Sequence, residues 1–263
     1  MTAPMHSDNT KDTKTEGCVV TVIMPAYNCG AFIKQAADSV LAQTFKDIEL
    51  IVIDDCSSDN TQEIMKQYLE NPKVKYYRNE TNLGVCASRN KAVNMADGRY
   101  IAFLDADDWW QNDKLERQLA VMDKEKCAIC CSGRRLWTHE GTDTKKIIHV
   151  PERISYRQLL VTNNIGCSTV LIPVDIMREF PMEHDEVNED YLTWLRILKK
   201  YGYAYGIDEP FLNTRLSQNG KSRNKLKSIK MNYGVYRYAG YGSIMAAVRT
   251  GINMIGGIMR YIR

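Results

Sequence analysis

Four apolar, β-branched runs alternating with stretches of helical periodicity constrain this chain more than any other feature. "CVVTVIMPAYN", from residue 18, is nearly unbroken in its hydrophobicity, the pattern of a strand buried on both faces rather than one. "GAFIKQAADSVLAQT" follows, with Phe32, Ile33, Ala36, Ala37, Val40 and Leu41 at helical spacing. "IELIVIDD", "VKYYRN" and "RYIAFLD" read as three further strands. "SSDNTQEIMKQYL", which offers N-capping residues, and "GVCASRNKAVNMA" read as the helices between them. Strand–helix–strand–helix order with short links predicts an α/β fold with a parallel, doubly wound sheet over residues 18–105.

The second half is less regular. "KCAICCSGRRLW", "KKIIHV" and "STVLIP" read as strands and "SYRQLLV" as a short helix. "EDYLTWLRILKKYG" is an amphipathic helix ending in cations and a C-cap glycine, and "YAYGIDEPFLNTRL" continues as extended chain.

In open α/β sheets ligands bind beyond the carboxyl ends of the strands. Here those ends carry Pro25-Ala26-Tyr27-Asn28, then Asp54-Asp55, then Asp105, Asp107 and Asp108, three carboxylates within four positions. Like charges this close raise one another's pKa and persist where a cation or solvent compensates them. The chain has no G-x-G-x-x-G and no G-x-x-x-x-G-K-S/T, so neither dinucleotide binding nor P-loop phosphate cradling is indicated. An acidic crevice suits the hydroxyls of a sugar, and it suits a pyrophosphate where Mg²⁺ or Mn²⁺ bridges the two. A nucleotide sugar offers both parts.

Taken in order and spacing, "VIMPAYN", "SVLAQTF", "ELIVIDDCSSDNT", "NLGVCASRN", "YIAFLDADDWW" and "NEDYLTWLRIL" resemble the inverting glycosyltransferases of family 2, which have the GT-A fold, over about residues 18–216. The resemblance implies roles for particular residues. Pro25, Ala26 and Tyr27 would pack against the nucleotide base, and Asp55 would hydrogen-bond base or ribose, with an N-cap of the next helix as its structural alternative. Arg89 would lie near the nucleotide or else pair with neighbouring carboxylates. "LDADD" is the family's D-x-D. Asp105 would contact ribose or hold the loop, Asp107 would coordinate the Mg²⁺ or Mn²⁺ that bridges the diphosphate, Asp108 would support the site, and Trp110 would anchor packing. An inverting displacement needs one base for the acceptor hydroxyl. The acids that open the "EDYLTW" helix fit, Asp190 first and Glu189 second, although acids there are also favoured by the helix dipole alone.

One departure from the family pattern stands out. Relatives often continue with Y-R-x-H-x-x-S-x-S; here the stretch is "TRLSQNGKSRN", with Ser217 in place of the His. Arg215, Lys221 and Arg223, around the flexible Gly220, are the expected substitute as a lid over the diphosphate.

Charge is distributed unevenly. Of a net +3 over 263 residues, ten positive charges and no acid follow Glu209, which leaves −7 for residues 1–209. Such a basic arm suggests an anionic partner. In "SIMAAVRTGINMIGGIMRYIR", Ile244, Val248, Ile252, Ile255, Met259 and Ile262 form one stripe among arginines, so residues 237–263 are expected to meet an anionic membrane surface, or else a protein face, rather than nucleic acid. Five glycines between Gly240 and Gly257 would weaken this helix in isolation. "MTAPMHSDNTKDTKTEG" lacks an apolar signal core and reads as a disordered tail, and no uncharged apolar run reaches the roughly 18 residues of a membrane span. Eight cysteines, most inside apolar segments, fit a reducing compartment, and the C-x-x-C of "CAICC" has no second pair at metal-binding spacing.

The expected organisation is thus a disordered tail (1–17), a GT-A catalytic domain (18–216) and a basic lid with an amphipathic C-terminal segment (217–263). The expected protein is cytoplasmic and peripheral at the inner membrane face. It would move a sugar from a nucleotide-diphosphate donor to a glycan acceptor, one the resemblance to bacterial polysaccharide and lipopolysaccharide enzymes makes lipid-linked. A metal-dependent nucleotidyltransferase also uses acidic strand ends, but it would want a Gly/Lys/Arg-rich phosphate loop where "PAYNCG" stands. A phospho-receiver-like module would be about half this length and would have no use for the E-D helix.

Overall fold

The computed structural model describes residues 18–216 and 225–262. The first half alternates as expected: β1 (Val20–Ala26), α1 (Ile33–Leu41), β2 (Ile48–Asp54), α2 (Thr61–Lys66), β3 (Val74–Arg78), α3 (Val85–Met95) and β4 (Tyr100–Phe103). There follow β5 (Trp109–Trp110), α4 (Lys114–Glu125), β6 (Ile129–Trp137), β7 (Asp143–Ile148), β8 (Arg153–Ser155) and α5 (Tyr156–Leu159). The chain closes with β9 (Leu171–Pro173), α6 (Val174–Glu179), α7 (Glu189–Tyr201), β10 (Tyr203–Arg215), α8 (Lys225–Tyr238) and α9 (Ser243–Ile262).

Among the described residues ten strands form one sheet, in the order β3-β2-β1-β4-β9-β6-β10-β5, with β7 on β6 and β8 on β10. β3, β2, β1 and β4 are parallel. β9 runs antiparallel to β4 and β6, and β10 returns parallel to β6. The continuous apolar runs have a simple cause: each central strand serves two cores. Ile23, Ile51, Ile101 and Phe103 face one, together with Trp194 of α7, while Val22, Met24, Leu50 and Val52 face the other, which α1 and α4 cover. Each such side chain, fully buried, contributes about 1.5–3 kcal/mol.

Three elements were too short for periodicity to signal: β5, β8 and α6. "STVLIP" is only partly a strand, because Cys167–Thr169 coil into a 3-10 turn before β9. The residues expected to cap α2 act differently: the N-cap Asn60 makes no side-chain cap bond. Asp59 instead accepts the Thr61 amide at 3.0 Å and the Gly30 amide at 2.9 Å, tying the loop after β2 to the loop after β1.

α7 is buried along most of its circumference, with Trp194 and Tyr191 among the largest fully enclosed side chains, and it stops at Gly202 with φ 96°. α8 and α9 pack back on it. Tyr191 and Tyr236 pair hydroxyl to hydroxyl at 3.0 Å, Tyr236 donates to the Leu160 carbonyl, and Asn253 donates to the Tyr191 hydroxyl at 3.3 Å. That support explains how α9 forms despite its glycines. No helix among the described residues is long and apolar enough to cross a membrane.

Candidate functional site

A cleft of about 520 Å³ opens at the carboxyl ends of β1, β2 and β4, where the topology of an open sheet leaves room for a ligand. Pro25, Ala26 and Tyr27 form one wall, and Asp55, Asp105 and Asp107 also line it. Tyr27 keeps 54% of its surface exposed, so its ring is available to a planar ligand. Pro25 and Ala26 end β1 in register with Ile53 and Asp54 of β2, which fixes their position.

Asp55 does not cap α2. Its carboxylate accepts the Leu83 amide at 2.9 Å, the Gly84 amide at 2.8 Å and the Asn79 side-chain amide at 2.8 Å, and so shapes the loop entering α3. Asp54, by contrast, points inward to the Ser57 amide and the Tyr76 hydroxyl. Gly84 is required in that loop twice over: its φ is +91°, and a Cβ would fall 2.2 Å from Asp185 Oδ2. The room it leaves lets Asp185 reach across the sequence to accept the Cys86 amide at 2.9 Å.

The three acids after β4 part ways. The Asp105 amide donates to Ser168 Oγ at 3.0 Å, and its carboxylate receives Arg89 at 2.7 Å. Asp107 faces the cleft, and burial together with neighbouring Asp105 pushes its carboxyl up to about 6. Asp108 turns inward and accepts the Arg215 amide at 2.9 Å, its proton affinity raised by burial, so it supports the loop as expected. Trp110 is a packing anchor, 2% exposed, with its ring nitrogen donating to the Ser168 carbonyl.

Arg89 lies beneath the cleft rather than along it. It is 4% exposed and joins Asp105 at 2.7 Å to Glu189 at 3.0 Å, which realises the carboxylate-pairing alternative. The last strand of the parallel half and the first turn of α7 are thereby fastened together. Glu189 is occupied by this contact. Asp190, half-buried at the head of α7, accepts the amide of Tyr191 at 2.7 Å; burial first, and Glu189 second, push its carboxyl up to about 6 against the opposing pull of Arg89.

Arg215 corrects the lid expectation. It ends β10 at 9% exposure, donating to the carbonyls of Asp107 and His139 and to Gln35, with its guanidinium 4.6 Å from the Phe32 ring centre and 5.0 Å from that of Trp109. A side chain held by five groups is a fixed brace for the Asp107 loop. Lys221 and Arg223, with Ser217 and Gly220, lie outside the described residues. His139, Asn28 and Asp185 also line the cleft. Asp185 sits inside the stretch that carries the E-D acids, where nothing in the sequence sets it apart; His139 comes from the turn between β6 and β7 and carries no sequence signal. His184 is a loop residue stacked on Tyr238 at 3.6 Å. Cys130 and Cys131 are fully buried in β6, as expected of a strand of small thiols.

For a divalent cation, the donor set fits. Asp107 offers hard carboxylate oxygens with Asp105 beside it, and its carboxylate is met by its own backbone amide, with Arg215 and His139 exerting a weaker pull. Mg²⁺ and Mn²⁺ are often held by one or two carboxylates with the rest of the shell supplied by phosphate and water.

Comparison with known proteins agrees. The chain is 40% identical over 220 residues to Bacillus subtilis TuaG, which is named as a teichuronic acid biosynthesis glycosyltransferase, covering 83% of this chain and 87% of that one. It is 36% identical over 221 residues to the Escherichia coli UDP-Glc:alpha-D-GlcNAc-diphosphoundecaprenol beta-1,3-glucosyltransferase WfgD, covering 82% and 85%. In fold it is similar to Staphylococcus aureus TarS in complex with UDP-GlcNAc (TM-score 0.67, 17% identity, 87% of this chain and 69% of that one). It is equally similar to the Pyrobaculum calidifontis mannosyltransferase PcManGT in complex with GDP-Man and Mn²⁺ (TM-score 0.67, 16% identity, 90% and 69%). The architecture is therefore GT-A, and residues 21–177 match the profile of glycosyl transferase family 2. The chain is a glycosyltransferase and belongs to that family.

Proposed function

We propose that this enzyme transfers a sugar, with inversion, from a nucleotide-diphosphate donor to a lipid-linked glycan acceptor during assembly of a cell-surface polysaccharide, assisted by Mg²⁺ or Mn²⁺. The observation that carries the reading is the arrangement of acids around the cleft: Asp105 and Asp107 line it, and Arg89 ties Asp105 to Glu189, the residue before Asp190 at the head of α7. The names of TuaG and WfgD support the polysaccharide and lipid-linked parts of the proposal.

Pro25, Ala26 and Tyr27 form the shelf for the base, and Asp55 sets the loop above it and offers its edge to base or ribose. Asp107, beside Asp105, would hold the metal, whose chemistry when bound is to neutralise the diphosphate as charge builds on the leaving group. Arg89 acts by positioning Asp105 and Glu189. With Glu189 so engaged, Asp190 is the acid left to take the proton of the acceptor hydroxyl, and a carboxylate raised to about 6 is a better base near neutral pH than an ordinary one.

α9 supports work at the inner face of the cytoplasmic membrane. Its buried side is Ala246, Thr250 and Asn253, while Ile244, Val248, Ile252 and Ile255 are 85%, 51%, 44% and 62% exposed. A helix that buries its polar face and exposes its aliphatic stripe, in a segment without acids, matches an anionic lipid surface. The direct test is a donor screen, measuring release of nucleoside diphosphate from a panel of nucleotide sugars with Mg²⁺, Mn²⁺ or EDTA and a lipid-linked acceptor. Metal-dependent release with one donor supports the proposal; transfer that survives excess EDTA overturns its metal part, and no release with any donor overturns the whole.

A further inference from the structure

We infer that the lipid-linked acceptor proposed above lies along α8, the diphosphate that would join its sugar to its apolar chain against Lys227, Lys230 and Arg237 and the chain in the groove between α8 and α9. This rests on the transfer reading above and assigns the binding site that reading leaves open.

Three hollows adjoin one another. The donor cleft reaches Asp185, and Asp185 also lines a second hollow of about 630 Å³ whose far wall is α8. Lys227, Lys230, Gly234 and Arg237 recur there at helical spacing, so one face of α8 carries the cations. Gly234 permits the approach: a Cβ at that position would fall 2.5 Å from Val187 Cγ1, in the loop that leads from Asp185 to Asp190. The acids on the opposite wall have partners of their own. Asp185 accepts the Cys86 amide, and Glu186 accepts the Tyr238 hydroxyl at 2.7 Å and lies 3.3 Å from His184.

Lys230 and Tyr233 then line a third hollow, about 410 Å³, whose other walls are Leu226 and Ile229 of α8 and Ala247, Gly251 and Met254 of α9. It is mostly apolar and flanks the exposed Val248 and Ile252. Read outward from the donor cleft through Asp185, the surface is therefore donor cleft, cationic hollow, apolar groove, aliphatic stripe. A lipid diphosphate sugar has its parts in the same order. A plain glycan would leave the apolar groove unfilled, and charge-assisted contacts to phosphate oxygens are the stronger kind.

The test uses undecyl diphosphate below its micellar concentration, with undecyl phosphate and methyl diphosphate as comparison probes. Binding to the full chain is followed by titration calorimetry in EDTA, which keeps the diphosphate off the donor-side acids. Undecyl diphosphate should bind more tightly than either comparison probe. The double variant Lys227→Gln/Lys230→Gln should weaken it at least roughly tenfold and flatten its salt dependence. Gly251→Leu, whose Cβ meets nothing within 4 Å, should weaken undecyl diphosphate while leaving methyl diphosphate as it was. Unchanged melting temperatures establish that both variants fold. Undecyl diphosphate affinity that is the same in both variants as in the wild type, or equal affinity for methyl diphosphate, overturns the assignment. The two readings fail separately. Lipid-acceptor turnover undiminished in the lysine variant removes this site and spares transfer, whereas variant-sensitive undecyl diphosphate binding without nucleoside diphosphate release from any donor removes transfer and spares the site.

Discussion

Asp107 and Asp190 make an instructive pair. Both carboxyls are pushed up to about 6, both by burial first and by a neighbouring acid second, yet their surroundings suit them to opposite tasks. Asp107 sits in a loop braced by Arg215 and faces a cleft made of strand ends, where burial and Asp105 push its carboxyl up more strongly than Arg215 pulls it down. Asp107 would hold a divalent metal as the carboxylate, a form the charge of the metal would favour. Asp190 sits at a helix start beside an acid already paired with Arg89, and on the proposed reading its raised proton affinity would serve an acceptor hydroxyl. On the proposed reading the same shift would serve ligation in one place and base catalysis in the other, and the neighbouring groups would decide which.

The largest effect should come from cutting the tie between these regions. Arg89→Met removes the cation shared by Asp105 and Glu189 and leaves two carboxylates facing each other. Breaking buried ion pairs costs about 3–5 kcal/mol, and the lower end applies because the Asp105 side chain is 39% exposed. Urea denaturation should report a loss of about 3 kcal/mol; a change within about 0.5 kcal/mol, the range of an ordinary surface substitution, would mean that the two sides hold their places without it.

The donor and acceptor regions should also differ in their need for lipid. Val248→Glu/Ile252→Glu places charge on the exposed stripe, whereas truncating α9 would uncover the core through the Asn253 to Tyr191 bond. Losing two partly buried aliphatics should weaken binding to anionic vesicles by about 2 kcal/mol. Transfer to a short water-soluble acceptor should stay as it was. Vesicle sedimentation identical to that of the wild type would remove α9 from the membrane contact.

The third contrast is in pH. The groups facing Asp190 are Glu189, Arg89 and Asp105, and their sum with burial raises its pKa. A base works deprotonated, so turnover at saturating donor and metal should fall about tenfold per unit as pH drops below about 6, and level off above it. A profile flat down to pH 4.5 would contradict the assignment, since an ordinary carboxylate titrates below about 4.5.

Much of the donor side was legible in the sequence because β1, β2 and β4 are buried on both faces and so consist of unbroken apolar runs, and ligands gather where such runs end in acids. α7 announced itself through its periodicity, its opening acids and Gly202. Other residues depend on contacts that sequence spacing does not encode. Arg215 looked like part of a basic lid; it is a brace because it meets Gln35, 180 positions away, and two aromatic rings. Arg89 looked equally suited to nucleotide and to carboxylates, and only its reach to Glu189, 100 positions on, decided the matter. The C-terminal stripe was visible, but that α9 would bury its polar face and leave the stripe outside follows from the tyrosine and asparagine contacts with α7.

The central claim, that one acid serves the donor and the other the acceptor, is tested most directly by measuring donor affinity and single-turnover rate side by side in Asp107→Asn and Asp190→Asn. Asp107→Asn should lose metal-dependent donor binding and turnover together. Asp190→Asn should bind donor and metal as the wild type does, yet turn over at least roughly 10²-fold more slowly. Donor binding that survives Asp107→Asn, or near-normal turnover in Asp190→Asn, would contradict the division of labour.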